Sequence, residues 1–171
     1  NLVDIDSART DAPLATVRTD SKLHSETAGA MIDRMSIMAL KIKAMRQQTL
    51  KTPDTDQWDY LAAQSVVYYP TSDAARNFFN LSAERWAKCT NHKVNIRLND
   101  KPLPKWLSGD LERTDTKLAM PITRGTGPET RWCQHVLQRV SNLIIDVEAC
   151  TPKAPVTAAA DIATKIQANI H

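Results

Sequence analysis

Two cysteines near the C-terminal end limit the folds open to this chain more than any other feature. Cys133 and Cys150 lie symmetrically about the pair Ser141-Asn142. A two-residue hairpin turn at that pair would place the cysteines opposite each other, and asparagine tolerates the positive φ that such a turn requires. Counting back from the closing pair makes them a non-hydrogen-bonded pair, whose Cα separation of about 4.5 Å suits a disulfide. The spacing therefore predicts a bridged antiparallel hairpin.

The same register sorts the hairpin side chains between two faces. One face is apolar and is predicted to be the core side: Val136, Val140, Leu143, Ile145 and Val147. The other face places His135 across from Glu148, with Asp146 nearby, and Arg139 joins them as a candidate ligand-binding residue. These side chains predict a polar patch that faces a ligand or responds to pH. The alternative is a solvated outer face with no specific role.

The segment at residues 132–140 leaves a second alternative open. Its apolar residues also fit helical spacing: Trp132, Val136, Leu137 and Val140. In that case the bridge would tie a helix to a strand at residues 142–147. Only the pairing of His135 with Glu148 would then be lost.

The rest of the chain predicts a single domain of the α+β class, an antiparallel β-sheet with helices packed on it. Strands are predicted at residues 40–44, 61–69, 94–98, 106–114 and 118–122, and helices at residues 22–37, 72–89 and 159–170. Ser72 or Asp73 is expected to cap the second helix, and Trp86 to lie in the core. Residues 1–25 are interpreted as a poorly ordered N-terminal arm and residues 26–171 as the folded domain.

Composition and charge exclude several classes of function. The chain has 171 residues, of which 42% are hydrophobic and 24% charged, which is typical of a globular domain. Its net charge of +3 is scattered without a dense basic block, so we expect no nucleic-acid partner. No apolar run approaches the length of a membrane span. No C-x-x-C pair occurs and the four histidines are spread apart, so no metal is expected.

Motifs for catalysis are equally scarce. No G-x-S-x-G motif occurs, and the R-G-T-G run at residues 124–127 lacks the lysine of a phosphate-binding loop. Cys89 and His92 are more typical of packing and surface residues than of an activated thiolate. We therefore expect no catalytic residue and no cofactor.

Five motifs resemble the PknH-like extracellular domain family of mycobacteria and their relatives. They are A-M-R-Q-Q-T-L at residues 44–50, Q-S-V-V-Y-Y at 64–69, W-A-K-C at 86–89, W-C-Q-H-V-L at 132–137 and N-L-I-I-D-V-E-A-C at 142–150. The resemblance covers residues 39–170. It implies an antiparallel sheet with helices packed on it, a polar cleft for a ligand, and two disulfides, one of which joins the last two cysteines.

The resemblance also implies a disulfide from the W-A-K-C cysteine to a cysteine well upstream. That partner would fall near residues 28–30, where no cysteine stands, so Cys89 is expected to be a free thiol. The first 25 residues match the family poorly. No ligand-binding residue can be transferred from the family to this chain.

Family members are the outer sensors of transmembrane serine/threonine kinases or free-standing secreted proteins and lipoproteins. The resemblance thus implies a non-catalytic sensor or ligand-binding module that is extracytoplasmic, in the cell envelope or secreted. We expect a mature lipoprotein or secreted protein whose partner is a small molecule or another cell-envelope ligand. A lipid anchor or membrane helix removed from the N-terminus would provide a tether. The alternatives are a cell-envelope protein–protein interaction module and the ectodomain of a transmembrane kinase.

Overall fold

The computed structural model describes residues 42–55, 57–94, 97–98, 101–102 and 104–170. The predicted N-terminal arm and the predicted helix at residues 22–37 lie outside this part of the chain. The described residues form these strands and helices: β1 Ala44–Thr52, β2 Tyr60–Tyr68, α1 Ser72–Lys88, β3 Lys93–Val94, β4 Arg97–Leu98, β5 Lys101–Pro102, β6 Trp106–Ser108, β7 Glu112–Arg113, β8 Lys117–Arg124, β9 Arg131–Val140, β10 Leu143–Thr151 and α2 Ala158–Ala168.

One antiparallel sheet organises the domain. Its strand order is β1-β2-β10-β9-β8-β6-β3, and β7 pairs with β8 outside this path. The two-residue strands β4 and β5 pair separately. A sheet of this kind with α1 and α2 packed on it confirms the predicted α+β fold.

The hairpin of β9 and β10 has the predicted register. Val140 pairs with Leu143, and Cys133 pairs with Cys150. The two cysteines form a disulfide with a Cα separation of 4.0 Å. Ser141, and not the expected asparagine, adopts the positive φ of 52° in the turn. The alternative of a helix at residues 132–140 is wrong, because this segment is the strand β9.

The two helices cover opposite faces of the sheet. The α1 face is built on β8–β10 by Leu118, Met120, Ile122, Cys133, Leu137, Ile144 and Cys150. The α2 face is built by Ala119, Val136, Ile145, Val147 and Ala149. The expectation that only the face of Val136 lies in a core was therefore wrong. The helix α1 buries the other face as well, so β9 and β10 carry core residues on both sides.

The N-cap and the buried side of α1 are both set by residues within or next to the helix. Thr71 is its N-cap and accepts a hydrogen bond from Ala74 N at 3.1 Å, so the predicted cap at Ser72 or Asp73 was displaced by one or two residues. Asp73 instead lies in the first turn, where its negative charge interacts favourably with the positive end of the helix dipole. The buried side of α1 consists of Ala75, Phe78, Phe79, Ser82, Ala83 and Trp86. The prediction that Trp86 is a core residue is confirmed.

Two of the predicted strands differ from the described ones between α1 and β8. The strand predicted at residues 106–114 is interrupted, because β6 ends at Ser108 and β7 begins at Glu112. Of the strand predicted at residues 94–98, Val94 lies in β3 and Arg97–Leu98 form β4, and residues 95 and 96 lie outside the described part of the chain. Gly109 N donates to Pro121 O at 2.8 Å, and a Cβ at Gly109 would lie 2.8 Å from Pro121 Cγ. Glycine permits this close approach, and the chain then leaves the ladder before β7 begins.

Candidate functional site

Three ionisable side chains are enclosed between the sheet and α1. His135 is 2% exposed, Asp146 7% and Glu148 5%. His135 projects from β9, and the two carboxylates project from β10 on the same face. His135 Nε2 donates to Asp146 Oδ1 at 2.6 Å. We call these three residues the buried polar cluster.

The Trp86 side chain of α1 packs against this cluster. Its ring centroid lies 4.4 Å from that of His135, with the planes tilted by 41°. The indole Nε1 is buried and finds no hydrogen-bond acceptor among the described residues. An unpaired buried N–H group costs free energy.

Glu148 is the member of the cluster whose carboxyl group has the fewest hydrogen-bond partners. It pairs with His135 in the β9–β10 ladder, and its Oε1 lies 3.8 Å from Cys150 Sγ. The sulfur is part of the disulfide and has no proton to donate. Burial raises the pKa of Glu148, and the charge of Asp146 raises it further, against the opposing effects of His135 and Arg124. The environment therefore favours the protonated carboxyl.

The surroundings of His135 favour the charged form of its imidazole. Burial by itself lowers its pKa, but the charge and hydrogen bond of Asp146, together with the charge of Glu148, outweigh burial and raise the pKa above its ordinary value. The cluster thus combines an imidazolium–carboxylate pair with a carboxyl group that resists ionisation.

Arg124 is a charged neighbour that the sequence patterns did not identify. Its guanidinium lies 5.0 Å from the ring centroid of Trp58 and 5.7 Å from that of Trp106. Burial lowers its pKa, whereas the charge of Glu148 raises it. The strand predicted at residues 118–122 extends, as β8, through Arg124. Continuing the period-two alternation of β8 by one step would have placed it on the α1 face with Met120 and Ile122.

Arg139 is only loosely associated with the cluster. It lies on β9 opposite Ile144, on the α1 face but at the end next to the turn. Its Nε is buried without a partner in the described part of the chain. No hydrogen bond or ion pair among the described residues joins its side chain to the cluster.

The structure overturns the interpretation of this surface as a solvated face. His135, Asp146 and Glu148 do lie together, as predicted, but all three are buried, on the face of the sheet against which α1 packs. Cys89 and His92 meet Ser108 through their backbones. Ser108 Oγ binds the backbone carbonyls of Cys89 and His92 and accepts from His92 N at 3.0 Å. No hydrogen bond in the described part of the chain joins the Cys89 thiol to the His92 ring.

One group of potential metal ligands occurs in the described chain: Cys133, Glu148 and Cys150. Metal coordination requires cysteine thiolates, and both sulfurs are consumed by the disulfide. Cys89 is partly buried and outside any disulfide, as expected.

A shallow apolar groove of about 240 Å³ lies on the opposite side of the sheet. It opens between the N-terminal turn of α2 and the β1–β2 hairpin. Its lining includes Leu50, Tyr60, Ala62, Ala158 and Ile162. Tyr60 is 54% exposed and Leu50 39%, so apolar surface remains open to solvent here.

A family model described as the PknH-like extracellular domain matches residues 38–169. The chain belongs to the PknH-like extracellular domain family. A second model, a protein of unknown function, matches residues 2–65, which is well under half of the chain.

Curated relatives and a solved structure agree with this assignment. The serine/threonine-protein kinase PknH of Mycobacterium tuberculosis is 30% identical over 95 residues, which cover 56% of this chain and 15% of the kinase. PknH of Mycobacterium bovis is 30% identical over the same length and is covered to 16%. The crystal structure of the extracellular domain of PknH from Mycobacterium tuberculosis superposes with a TM-score of 0.69 at 26% identity, covering 77% of this chain and 66% of that one. The PknH-like chain thus spans about a sixth of the length of its curated relatives.

The family assignment and the disulfide place this PknH-like domain outside the cytoplasm. Disulfides persist in oxidising compartments, which agrees with that location. Within the described part of the chain, neither α1 nor α2 is both long enough and apolar enough to span a bilayer.

The raised pKa values in the PknH-like domain predict a stability that falls as pH increases. A native state with a raised pKa binds protons that the unfolded chain has released, so stabilisation is complete below the unfolded pKa and is lost through the folded one. For Glu148 this loss begins near the ordinary carboxyl pKa of about 4.3, and for His135 near about 6.5. We expect Glu148→Gln, which mimics the neutral carboxyl, to be more stable than the parent at pH 7.5 and nearly equal to it at pH 4.

Urea unfolding at the two pH values measures this effect. Glu84→Gln, an exposed substitution on α1, is the matched control and should leave the pH profile unchanged. A Glu148→Gln protein that is less stable than the parent at pH 7.5 would show that the ionised carboxylate is favoured instead.

Proposed function

We propose that this PknH-like domain is a non-catalytic sensor that binds a small polar molecule at the buried polar cluster. The observation that carries the proposal is the enclosure of His135, Asp146 and Glu148 beside the unpaired indole N–H of Trp86. Buried ionisable groups destabilise a fold unless they are paired, and they concentrate at functional sites. The kinase relatives support a sensing role, because the matched part of the PknH crystal structure is its extracellular domain.

The chemistry of the cluster suggests the class of ligand. Trp86 Nε1 offers a donor, and a protonated Glu148 offers both a donor and an acceptor. A neutral molecule with hydroxyl or amide groups satisfies both without adding an unpaired charge. Because the cluster is almost fully covered, binding requires α1 to move away from the sheet. A ligand that stabilises the shifted position of α1 would change the outer surface of the domain, which is what a sensor must do.

The absence of a nucleophile supports a binding role over catalysis. In the described part of the chain, no hydroxyl or free thiol is hydrogen-bonded to His135, Asp146 or Glu148. A nucleophile must lie within hydrogen-bond reach of its base. The cluster is therefore proposed to bind and not to react.

We propose a mature lipoprotein or secreted protein as the setting of the domain. The first 25 residues match the family poorly, which favours a free-standing protein. The curated relatives are kinases and favour the alternative, an ectodomain. The gene sequence upstream of the codon for Asn1 distinguishes the two, since a kinase domain followed by a membrane helix identifies an ectodomain and a lipobox cysteine identifies a lipoprotein.

Nuclear magnetic resonance tests ligand binding at the cluster. The domain, labelled uniformly so that histidine rings, indole N–H groups and backbone amides all give signals, is titrated with a mycobacterial cell-envelope extract separated into small-molecule and macromolecular fractions. We expect the small-molecule fraction to shift the His135 and Trp86 signals, and Glu148→Leu to abolish the shift. Lys165→Leu, an exposed substitution on α2, is the control. Signals from His135 and Trp86 that stay unchanged in every fraction would contradict the proposal.

A cell-envelope protein–protein interaction module is the second candidate. The exposed Tyr60 and Leu50 beside the apolar groove favour it, because such side chains are typical of contact surfaces. The same titration distinguishes the candidates, since the macromolecular fraction would then shift signals of the β1–β2 hairpin and leave those of His135 unchanged.

A further inference from the structure

The strand β1 is a long edge of the main sheet. It has nine residues and pairs with β2 along its whole length, from Ala44 to Thr52. No other described strand pairs with its outer side. No proline or bulge interrupts it before Pro53. An open edge of this length is a template for an additional strand.

The ladder shows which backbone groups of β1 face outward. Tyr69 N donates to Asn142 O at 2.9 Å, which fixes this pair as hydrogen-bonded within the β2–β10 register. Hydrogen-bonded and non-hydrogen-bonded pairs alternate, so the even-numbered residues of β2 face β1 and the even-numbered residues of β1 face β2. The outward groups belong to the odd-numbered residues: Met45, Gln47, Thr49 and Lys51. We call these outward N–H and C=O groups the β1 edge.

The charge at the β1 edge is entirely positive. Residues 42–52 contain Lys43, Arg46 and Lys51 and no acidic residue, and β2 contains no charged residue. Neither Arg46 nor Lys51 forms an ion pair with a described residue. Pairing with a second copy of the chain would bring like charges together, which opposes self-association. The same charges attract an acidic strand.

We propose that the β1 edge binds an extended acidic peptide segment of another protein by strand addition. This inference specifies the partner for the second candidate function and does not depend on the buried polar cluster. Backbone groups of a peptide can pair with the outward groups of β1, whereas a lipid headgroup or a sugar cannot continue the ladder. Arg46 and Lys51 select acidic side chains. Met45, 41% exposed, and Leu50 select apolar ones.

The positions of these side chains define the sequence of a probe. Arg46 and Lys51 are five residues apart and therefore lie on opposite faces of the strand. An antiparallel partner needs acidic residues at the same spacing, with apolar residues opposite Met45 and Leu50. The heptapeptide Glu-Val-Thr-Thr-Thr-Glu-Val meets this requirement. One control peptide has lysine in place of both glutamates. Another has proline in place of the first threonine, which lies opposite Thr49 and whose N–H would pair with β1.

Fluorescence anisotropy of the labelled peptides with the full chain tests the proposal. We expect the acidic peptide to bind and both control peptides to fail. Arg46→Glu should weaken binding at least tenfold, and Lys165→Glu, the matched charge reversal on α2, should leave it unchanged. Amide exchange at Gln47 and Thr49 should slow when the acidic peptide is present, because their N–H groups become bonded.

Three results would overturn the proposal. Equal weakening by Arg46→Glu and Lys165→Glu would indicate diffuse charge attraction only. Slow exchange at Gln47 and Thr49 without peptide would show that another segment or a second copy already occupies the edge. Binding to vesicles of anionic phospholipid, with no binding of the acidic peptide, would assign the positive charge to a membrane surface. None of these results affects the test at His135, so the two proposals fail or succeed separately.

Discussion

Asp146→Ala is expected to lower the free energy of unfolding by about 3–5 kcal/mol, because it leaves the His135 imidazolium buried without its partner. The Nε2–Oδ1 contact of 2.6 Å and the burial of both residues make this pair the most sensitive polar contact in the described structure. The pKa of His135 should also fall, since the charge and hydrogen bond of Asp146 help to raise it. Urea unfolding at pH 6 measures the first effect, and nuclear magnetic resonance titration the second.

A double variant controls this experiment. Replacing both His135 and Asp146 by leucine removes the charges together, so most of the lost stability should return. A single Asp146→Ala variant within about 1 kcal/mol of the parent would show that His135 is stabilised by other groups.

Loss of the disulfide is expected to lower the free energy of unfolding by about 3 kcal/mol, because the bridge restricts the unfolded chain across a separation of 17 residues. The double variant Cys133→Ala and Cys150→Ala tests this directly. Both sulfurs are buried in the α1 face, so the reductant acts on the parent only as it unfolds. In urea with a dithiol reductant, the parent should unfold at a lower midpoint than without it.

Cys89→Ala is the matched control, since Cys89 is outside the disulfide. It should keep the response to reductant. If the parent protein has the same urea midpoint with and without reductant, the role assigned to the disulfide is wrong. The bridge also joins the two strands that carry the buried polar cluster, so it holds the proposed binding residues in register before a ligand arrives.

The sequence predicted the hairpin correctly because strand register is a matter of counting. The turn at Ser141-Asn142 fixes every cross-strand pair, including Cys133 with Cys150 and His135 with Glu148. The same local reasoning located α1 and α2, whose apolar stripes have helical spacing. These features depend on residues that are close in sequence or joined by one turn.

The two faces of β10 could not be assigned to core or solvent from the sequence. Asp146 and Glu148 alternate with Ile145 and Val147, a pattern that is typical of a strand with one solvated face. All four residues are nevertheless buried. Alternation separates the two faces of a strand, but it does not say which elements cover them. Two neighbours of the buried polar cluster come from distant segments of the chain. Trp86 packs against His135 from α1, and the charge of Arg124 on β8 acts on Glu148.

Residue spacing and short motifs were enough to predict the hairpin pairing, its disulfide, the free Cys89 and the family, because each can be recognised from residues that are close in sequence. The packing of the folded chain was needed to show that α1 and α2 lie on opposite faces of the sheet and that the buried polar cluster is enclosed. Burial depends on packing between segments far apart in the chain, and that packing changed the cluster from an expected surface patch into a desolvated site with shifted pKa values.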